Sequence, residues 1–217
     1  MADLPLEHAS RPPDAPGEGP RPAVVLLHGR GADERDLLPI AAELPDDLLV
    51  LSARAPDPLG PGYTWYELDL SGGGLHESQP DAADFRRSLD LVHEFVDAAV
   101  DAYDLDPQGV GLLGFSQGAV TALSVLVEEP RHPWVVALNG YLPASHDDPE
   151  ALAAAAGTPV FVGAGERDQV IPPERARAAA VSLREAGLDV TAETYPVGHG
   201  TTPAEIADVA AWVEENR

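Results

Sequence analysis

Apolar residues along this chain follow two alternating rhythms. Short uninterrupted runs, AVVLLHG (23–29), LLVLSA (48–53), GVGLLGF (109–115), WVVALNG (134–140) and PVFVGAG (159–165), read as strands buried on both faces. Between them lie stretches with helical spacing: 32–44, 84–103, 117–129, 173–187 and 203–216. Asp33 is the expected N-cap of the first helix, Pro130 stops the third, and Gly187 closes the fourth. DVTAETY (189–195) reads as one more strand, and a short edge strand is expected near Leu4 to Ser10, before a long turn from Pro12 to Pro22. This alternation predicts a single α/β domain over 1–217, with a mostly parallel central sheet and helices on both faces.

Residues 54–80 break the rhythm. The segment is rich in Pro and Gly yet holds Tyr63, Trp65 and Tyr66. A loop this long inside a compact domain points to function, and its aromatics are expected either to line a pocket or to cap the core.

Charge changes the picture more than size does. Asp and Glu total 37 against 13 Arg, with no Lys, for a formal net charge of -24. Such a surface lacks the basic patch that nucleic acid or an anionic membrane requires. Arginine-rich codon usage accounts for the missing lysine but not for the acid excess. Adaptation to concentrated salt, where the Debye length falls to about 3 Å and self-repulsion is screened, accounts for the acidity. The absence of cysteine excludes disulfides, thiolate zinc sites and a cysteine nucleophile. The N-terminus has neither a basic nor an apolar signal region, and no apolar run approaches the roughly 18 residues of a membrane span. A cytoplasmic protein is therefore expected.

The candidate chemistry lies at Gly114-Phe115-Ser116-Gln117-Gly118, between a clean strand and a clean helix. A Gly-x-Ser-x-Gly frame arises by chance in about 0.08 places in a chain of this composition, and it is the pattern of a nucleophile elbow. A serine hydroxyl needs a base, and the base needs an orienting acid. In open α/β sheets of this kind the partners follow in the order serine, acid, histidine, each after a strand. Asp168 in GERDQVIP and His199 in YPVGHG meet both conditions, while Glu166 sits closer to its strand end. The oxyanion donors are expected to be the backbone N–H groups of Gln117 and of Arg30 in HGRGAD, where Gly29 and Gly31 allow close approach. His28 reads as structural, supporting that loop, and His8, His76, His93, His132 and His146 read as surface residues. HEFVD lacks the second histidine of a zinc helix, and GAGERD lacks the third glycine of a dinucleotide fingerprint, so no metal and no cofactor are expected.

Taken together, LLHGRGADERDLLPIA, YTWYELD, GFSQGAV, NGYLP, GERDQVIP and YPVGHG resemble, in order and over nearly the whole chain, the phospholipase/carboxylesterase family of α/β-hydrolases. That group includes bacterial carboxylesterases and acyl-protein thioesterases. The resemblance implies a serine hydrolase of carboxylic esters or thioesters, with Ser116, Asp168 and His199 as the triad. It also implies Arg30 and Gln117 as oxyanion donors and Trp65 in the substrate-facing loop. Its expected partner is a small-molecule ester, bound by a monomer or homodimer. The chain departs from the pattern at Arg30, where acyl-protein thioesterases carry an apolar residue, and at Ala119, where a glycine is frequent. Acyl thioesterase and lysophospholipase activities use the same machinery, and a non-catalytic ligand-binding protein on the same fold is the alternative of another class.

Overall fold

A computed structural model describes residues 4–14 and 19–217. In chain order the elements begin with strands β1 (His8–Arg11) and β2 (Arg21–Leu27), helix α1 (Leu38–Ala41) and strand β3 (Leu49–Ala53). Two small hairpins follow, β4 (Asp57–Leu59) with β5 (Gly62–Thr64), and β6 (Leu68–Asp69) with β7 (Gln79–Pro80). The remainder alternates: α2 (Ala82–Tyr103), β8 (Leu105–Phe115), α3 (Gln117–Glu128), β9 (Val135–Leu138), α4 (Pro149–Ala153), β10 (Pro159–Gly165), α5 (Pro173–Glu185), β11 (Asp189–Tyr195) and α6 (Pro203–Asn216).

Seven strands form the central sheet in the order β1-β3-β2-β8-β9-β10-β11. Among the described residues, only the β1–β3 pair of this sheet is antiparallel. The expected edge strand exists, shifted to His8–Arg11, and the turn after it falls partly on residues 15–18, outside the described residues.

Each strand feeds two cores because its side chains alternate across the sheet. Val25 and Leu27 of β2 join a cluster under α2, α3 and α5, whereas Val24 and Leu26 join a second cluster under α1 and α6. Both faces of the sheet are therefore covered, which explains the uninterrupted apolar runs in the sequence. Helix α3 is buried on almost every side, so its own sequence carries hardly any polar face.

The helix expected over 32–44 shrinks to four residues. Asp33 closes a local turn instead, its Oδ1 accepting from the Arg35 N–H at 2.8 Å. Glu34 is drawn inward by Arg54, whose Nε and Nη2 donate to its carboxylate at 2.7 and 2.9 Å. That pairing holds the Glu34 carboxyl down at about 2. Helical geometry starts only where Pro39, with its preset φ, permits it.

The strand order reverses between β2 and β8: β3 lies on one side of β2 and β8 on the other. In open parallel sheets, the crevice at such a reversal, beyond the carboxyl ends of the strands, is where ligands bind.

Candidate active site

Ser116 sits at that crevice, between the end of β8 and the start of α3. Its backbone is held at φ 54° and ψ -117°, outside the regions that L-residues normally occupy, at a cost on the order of 1–3 kcal/mol. Glycine is required on both sides because the chain folds sharply back. A side chain at Gly114 would run into the Gly118 carbonyl, and one at Gly118 into the Leu27 carbonyl. Gly29 lies close to the elbow as well: a Cβ there would sit 3.1 Å from the Phe115 ring, which would have to yield slightly, and 3.5 Å from Ser116 Cβ. Gly31 has open space around it and serves the turn through its φ of +81°.

The three candidate residues meet. His199 Nε2 lies 2.8 Å from Ser116 Oγ, and His199 Nδ1 lies 2.6 Å from Asp168 Oδ2. A carboxylate only accepts, so Nδ1 carries the proton and Nε2 is left to accept from the serine hydroxyl. Asp168 is almost fully enclosed, and its other oxygen accepts from the N–H groups of Val170 (2.8 Å) and Ile171 (3.0 Å). Glu166 points to solvent.

The backbone N–H groups of Arg30 and Gln117 donate to no protein acceptor among the described residues, and both residues line the same pocket as Ser116 and His199. The Arg30 loop is tied to β5, with Gly31 N–H donating to Tyr63 O at 2.7 Å and Tyr63 N–H to Ala32 O at 2.8 Å. His28 supports the loop from below. Its Nδ1 donates to Gly29 O (2.7 Å) and its Nε2 accepts from Ala55 N–H (3.0 Å), while burial lowers its pKa and favours the neutral ring this requires.

The structure corrects the reading of Trp65. Its side chain is fully buried, and its indole N–H donates to His28 O at 2.9 Å. The neighbour Tyr66 lines the pocket in its place. Gln117 explains the arrangement: its Oε1 accepts from Trp65 N–H (2.9 Å) and its Nε2 donates to Tyr66 O (2.7 Å). The aromatic loop is thereby fastened to the elbow, with Trp65 turned into the core.

Several histidines expected at the surface are elsewhere. His132 is buried, with Nδ1 donating to Val110 O at 2.8 Å, and burial pushes its pKa down to about 4. His93 and His146 are largely covered and flank Glu128, each at 3.1 Å. Among the described residues, no cluster of His, Asp and Glu has the geometry to hold a metal ion.

Asn139 escapes a reading of the sequence. It is buried, holds φ at +50°, accepts from Gly165 N–H at 2.7 Å and donates to Gly200 O at 2.8 Å. One side chain thus joins the end of β10 to the loop bearing His199. The signal available in the sequence is an Asn before Gly at a strand end, a pair that tolerates left-handed backbone.

Glu205, in the first turn of α6, is fully buried, and neither carboxylate oxygen has a partner among the described residues. Burial raises its pKa from the ordinary 4.5 to about 7. The folded chain then holds a proton that the unfolded chain has lost, so stability falls as pH rises from about 4.5 to about 7. Glu205→Gln removes this loss. Relative to the natural chain, the variant is expected to be unchanged below about pH 4.5 and more stable by on the order of 3 kcal/mol at about pH 8, checked by denaturant unfolding at both pH values.

A mostly parallel sheet with a serine on a strained strand-to-helix turn at its reversal point, bonded to a histidine and through it to an aspartate, defines an α/β-hydrolase. The sequence profile of the phospholipase/carboxylesterase family matches residues 14–216. An acyl-protein thioesterase 1 of Gibberella zeae is 28% identical over 158 residues, spanning 70% of this chain and 67% of that protein. An acyl-protein thioesterase 1 of Candida albicans is 25% identical over 219 residues, spanning 92% and 94%. The crystal structure of a Bacillus cereus carboxylesterase superposes with a TM-score of 0.82 at 24% identity, covering 98% of this chain and 95% of that one. The chain belongs to the phospholipase/carboxylesterase family, and it is an esterase.

Proposed function

We propose that the chain hydrolyses carboxylic esters of small to medium acyl chains through an acyl-enzyme on Ser116. His199 takes the serine proton as Oγ attacks the ester carbonyl, and returns it to the leaving alcohol. Asp168 holds the imidazole in the tautomer that accepts at Nε2. The N–H groups of Arg30 and Gln117 receive the developing oxyanion, and water then releases the acid. The observation that carries this reading is the chain of contacts at 2.8 and 2.6 Å from Ser116 through His199 to Asp168, with Ser116 and His199 lining one pocket.

The pocket holds about 240 Å³, below the roughly 300–1,000 Å³ of drug-sized sites, which supports a short acyl group over a long lipid tail. A thioester reading has the support of the relatives' names, and the same groups serve it. The test is intact mass after treatment with a fluorophosphonate, followed by rates on matched ester and thioester panels. One adduct per chain with faster turnover of short esters supports the proposal. A folded protein that takes no adduct leaves only a binding role.

The charge supports a protein working in concentrated salt. Self-repulsion at a net charge of -24 destabilises the compact state until counter-ions screen it. The melting temperature is expected to climb by well over about ten degrees between roughly 0.1 and 3 M KCl. A flat profile would remove the salt-adaptation reading.

A further inference from the structure

The active-site pocket does not share the charge of the molecule. Although acids outnumber arginines 37 to 13, no carboxylate-bearing residue among the described residues lines the pocket, and Arg30 is the arginine that does. The rest of the wall is largely apolar, including Leu68, Leu75, Val170 and Ile171. Arg30 is also poorly neutralised. Its ion-pair contact among the described residues is Glu67 at 3.5 Å, and both side chains are open to solvent, 37% and 61% exposed. Some other arginines are paired more tightly, Arg54 with Glu34 at 2.7 Å and Arg131 with Asp97 at 2.6 Å. A long, exposed pair contributes little and is easily exchanged for a better acceptor.

A second cation stands behind the wall. The Arg175 guanidinium lies 3.2 Å from the ring centroid of Tyr141, whose side chain lines the pocket. Its Nη1 is buried without a hydrogen-bond partner, and no carboxylate among the described residues pairs with it. Arg30 and Arg175 thus set two positive charges against the Asp168 and Glu67 carboxylates around the site, in a molecule whose net charge is -24.

We propose that Arg30 is a specificity-determining residue, and that the preferred substrates are esters carrying an anionic group, a carboxylate or a phosphate, close to the scissile carbonyl. This rests on the hydrolase reading above. The placement is economical, since the same residue offers its backbone N–H to the oxyanion and its side chain to the neighbouring anion. A planar guanidinium grips either anion through two parallel N–H donors. Glu67 competes for the same guanidinium and is displaced when substrate binds.

The test compares kcat/KM for matched pairs at one KCl concentration. A dicarboxylic acid mono-p-nitrophenyl ester is set against its uncharged methyl diester, which places the charge on the acyl side. An acyloxybenzoate against its benzamide, and a monoacylglycerol phosphate against the monoacylglycerol, place a carboxylate or a phosphate on the leaving group. In at least one pair the anionic member is expected to be favoured by about tenfold or more. In Arg30→Gln that anionic-to-neutral ratio falls by about 10- to 100-fold whatever the absolute rates, because the backbone N–H serves both members equally. In Glu67→Gln the ratio rises by a few-fold, a change that loss of a merely structural ion pair does not produce. A preference for the neutral member in all three pairs, or a ratio unmoved in Arg30→Gln, overturns the proposal. Failure of the hydrolase reading itself is seen separately, as absence of turnover on every ester together with absence of a fluorophosphonate adduct. In that case the binding of succinate and phenyl phosphate, measured by calorimetry on the natural chain and on Arg30→Gln, decides whether the anion site stands.

Discussion

Ser116→Ala is expected to lower kcat for ester hydrolysis by roughly 10⁶-fold, the loss seen when the nucleophile is removed from a comparable serine hydrolase site. The fold should be untouched. Alanine keeps the Cβ, so the strain at φ 54° is unchanged, and the backbone N–H at this position still donates to Leu138 O at 2.8 Å. Circular dichroism and melting should match the natural chain while the fluorophosphonate adduct disappears. Residual catalysis of roughly 10³- to 10⁴-fold over water should persist, because the Arg30 and Gln117 N–H groups and the pocket remain. Substantial ester turnover by a folded Ser116→Ala protein would falsify the assignment of the nucleophile.

Asp168→Asn is expected to cost about 10⁴-fold in kcat with little change in stability. The aspartate performs two jobs with two oxygens. Oδ1 accepts from the Val170 and Ile171 N–H groups, which an asparagine carbonyl still does. Oδ2 faces His199 Nδ1, and an amide nitrogen placed there donates where it should accept. The imidazole must then move its proton to Nε2, which no longer accepts from the serine. Kinetics and thermal unfolding on one sample separate the two jobs. A loss below about tenfold would show that another group orients the histidine.

Much of this site is legible in the sequence. The Gly-x-Ser-x-Gly frame follows from a local steric demand, since glycines at 114 and 118 are the residues that let the elbow close against the Gly118 and Leu27 carbonyls. Asp168 and His199 stand out because each follows a strand in the order that the fold imposes. The strands themselves are readable because a sheet covered on both faces leaves apolar runs without interruption. The helix expected over 32–44 is reduced to Leu38–Ala41 even though its apolar spacing is genuine. The deciding forces are the Glu34–Arg54 pair and the ties from the Arg30 loop to β5, which join residues far apart in sequence.

Sequence alone carries the order of the sheet strands and of the long helices between them, the sharp turn at Ser116, and the residue types able to perform acyl transfer. These depend on periodicity and on steric rules acting over a few neighbouring residues. Tertiary packing is what turns Tyr66 rather than Trp65 to the pocket, sets Asn139 as the clamp on the His199 loop, and buries Glu205 and His132. The reason is physical. A side chain's direction and solvation are set by what packs against it, and here the partners are distant in the chain. Gln117 lies 52 residues from Trp65, Gly200 lies 61 from Asn139, and Val110 lies 22 from His132. Glu205 likewise packs against Gly163, on a strand at the other side of a helix and a further strand in chain order.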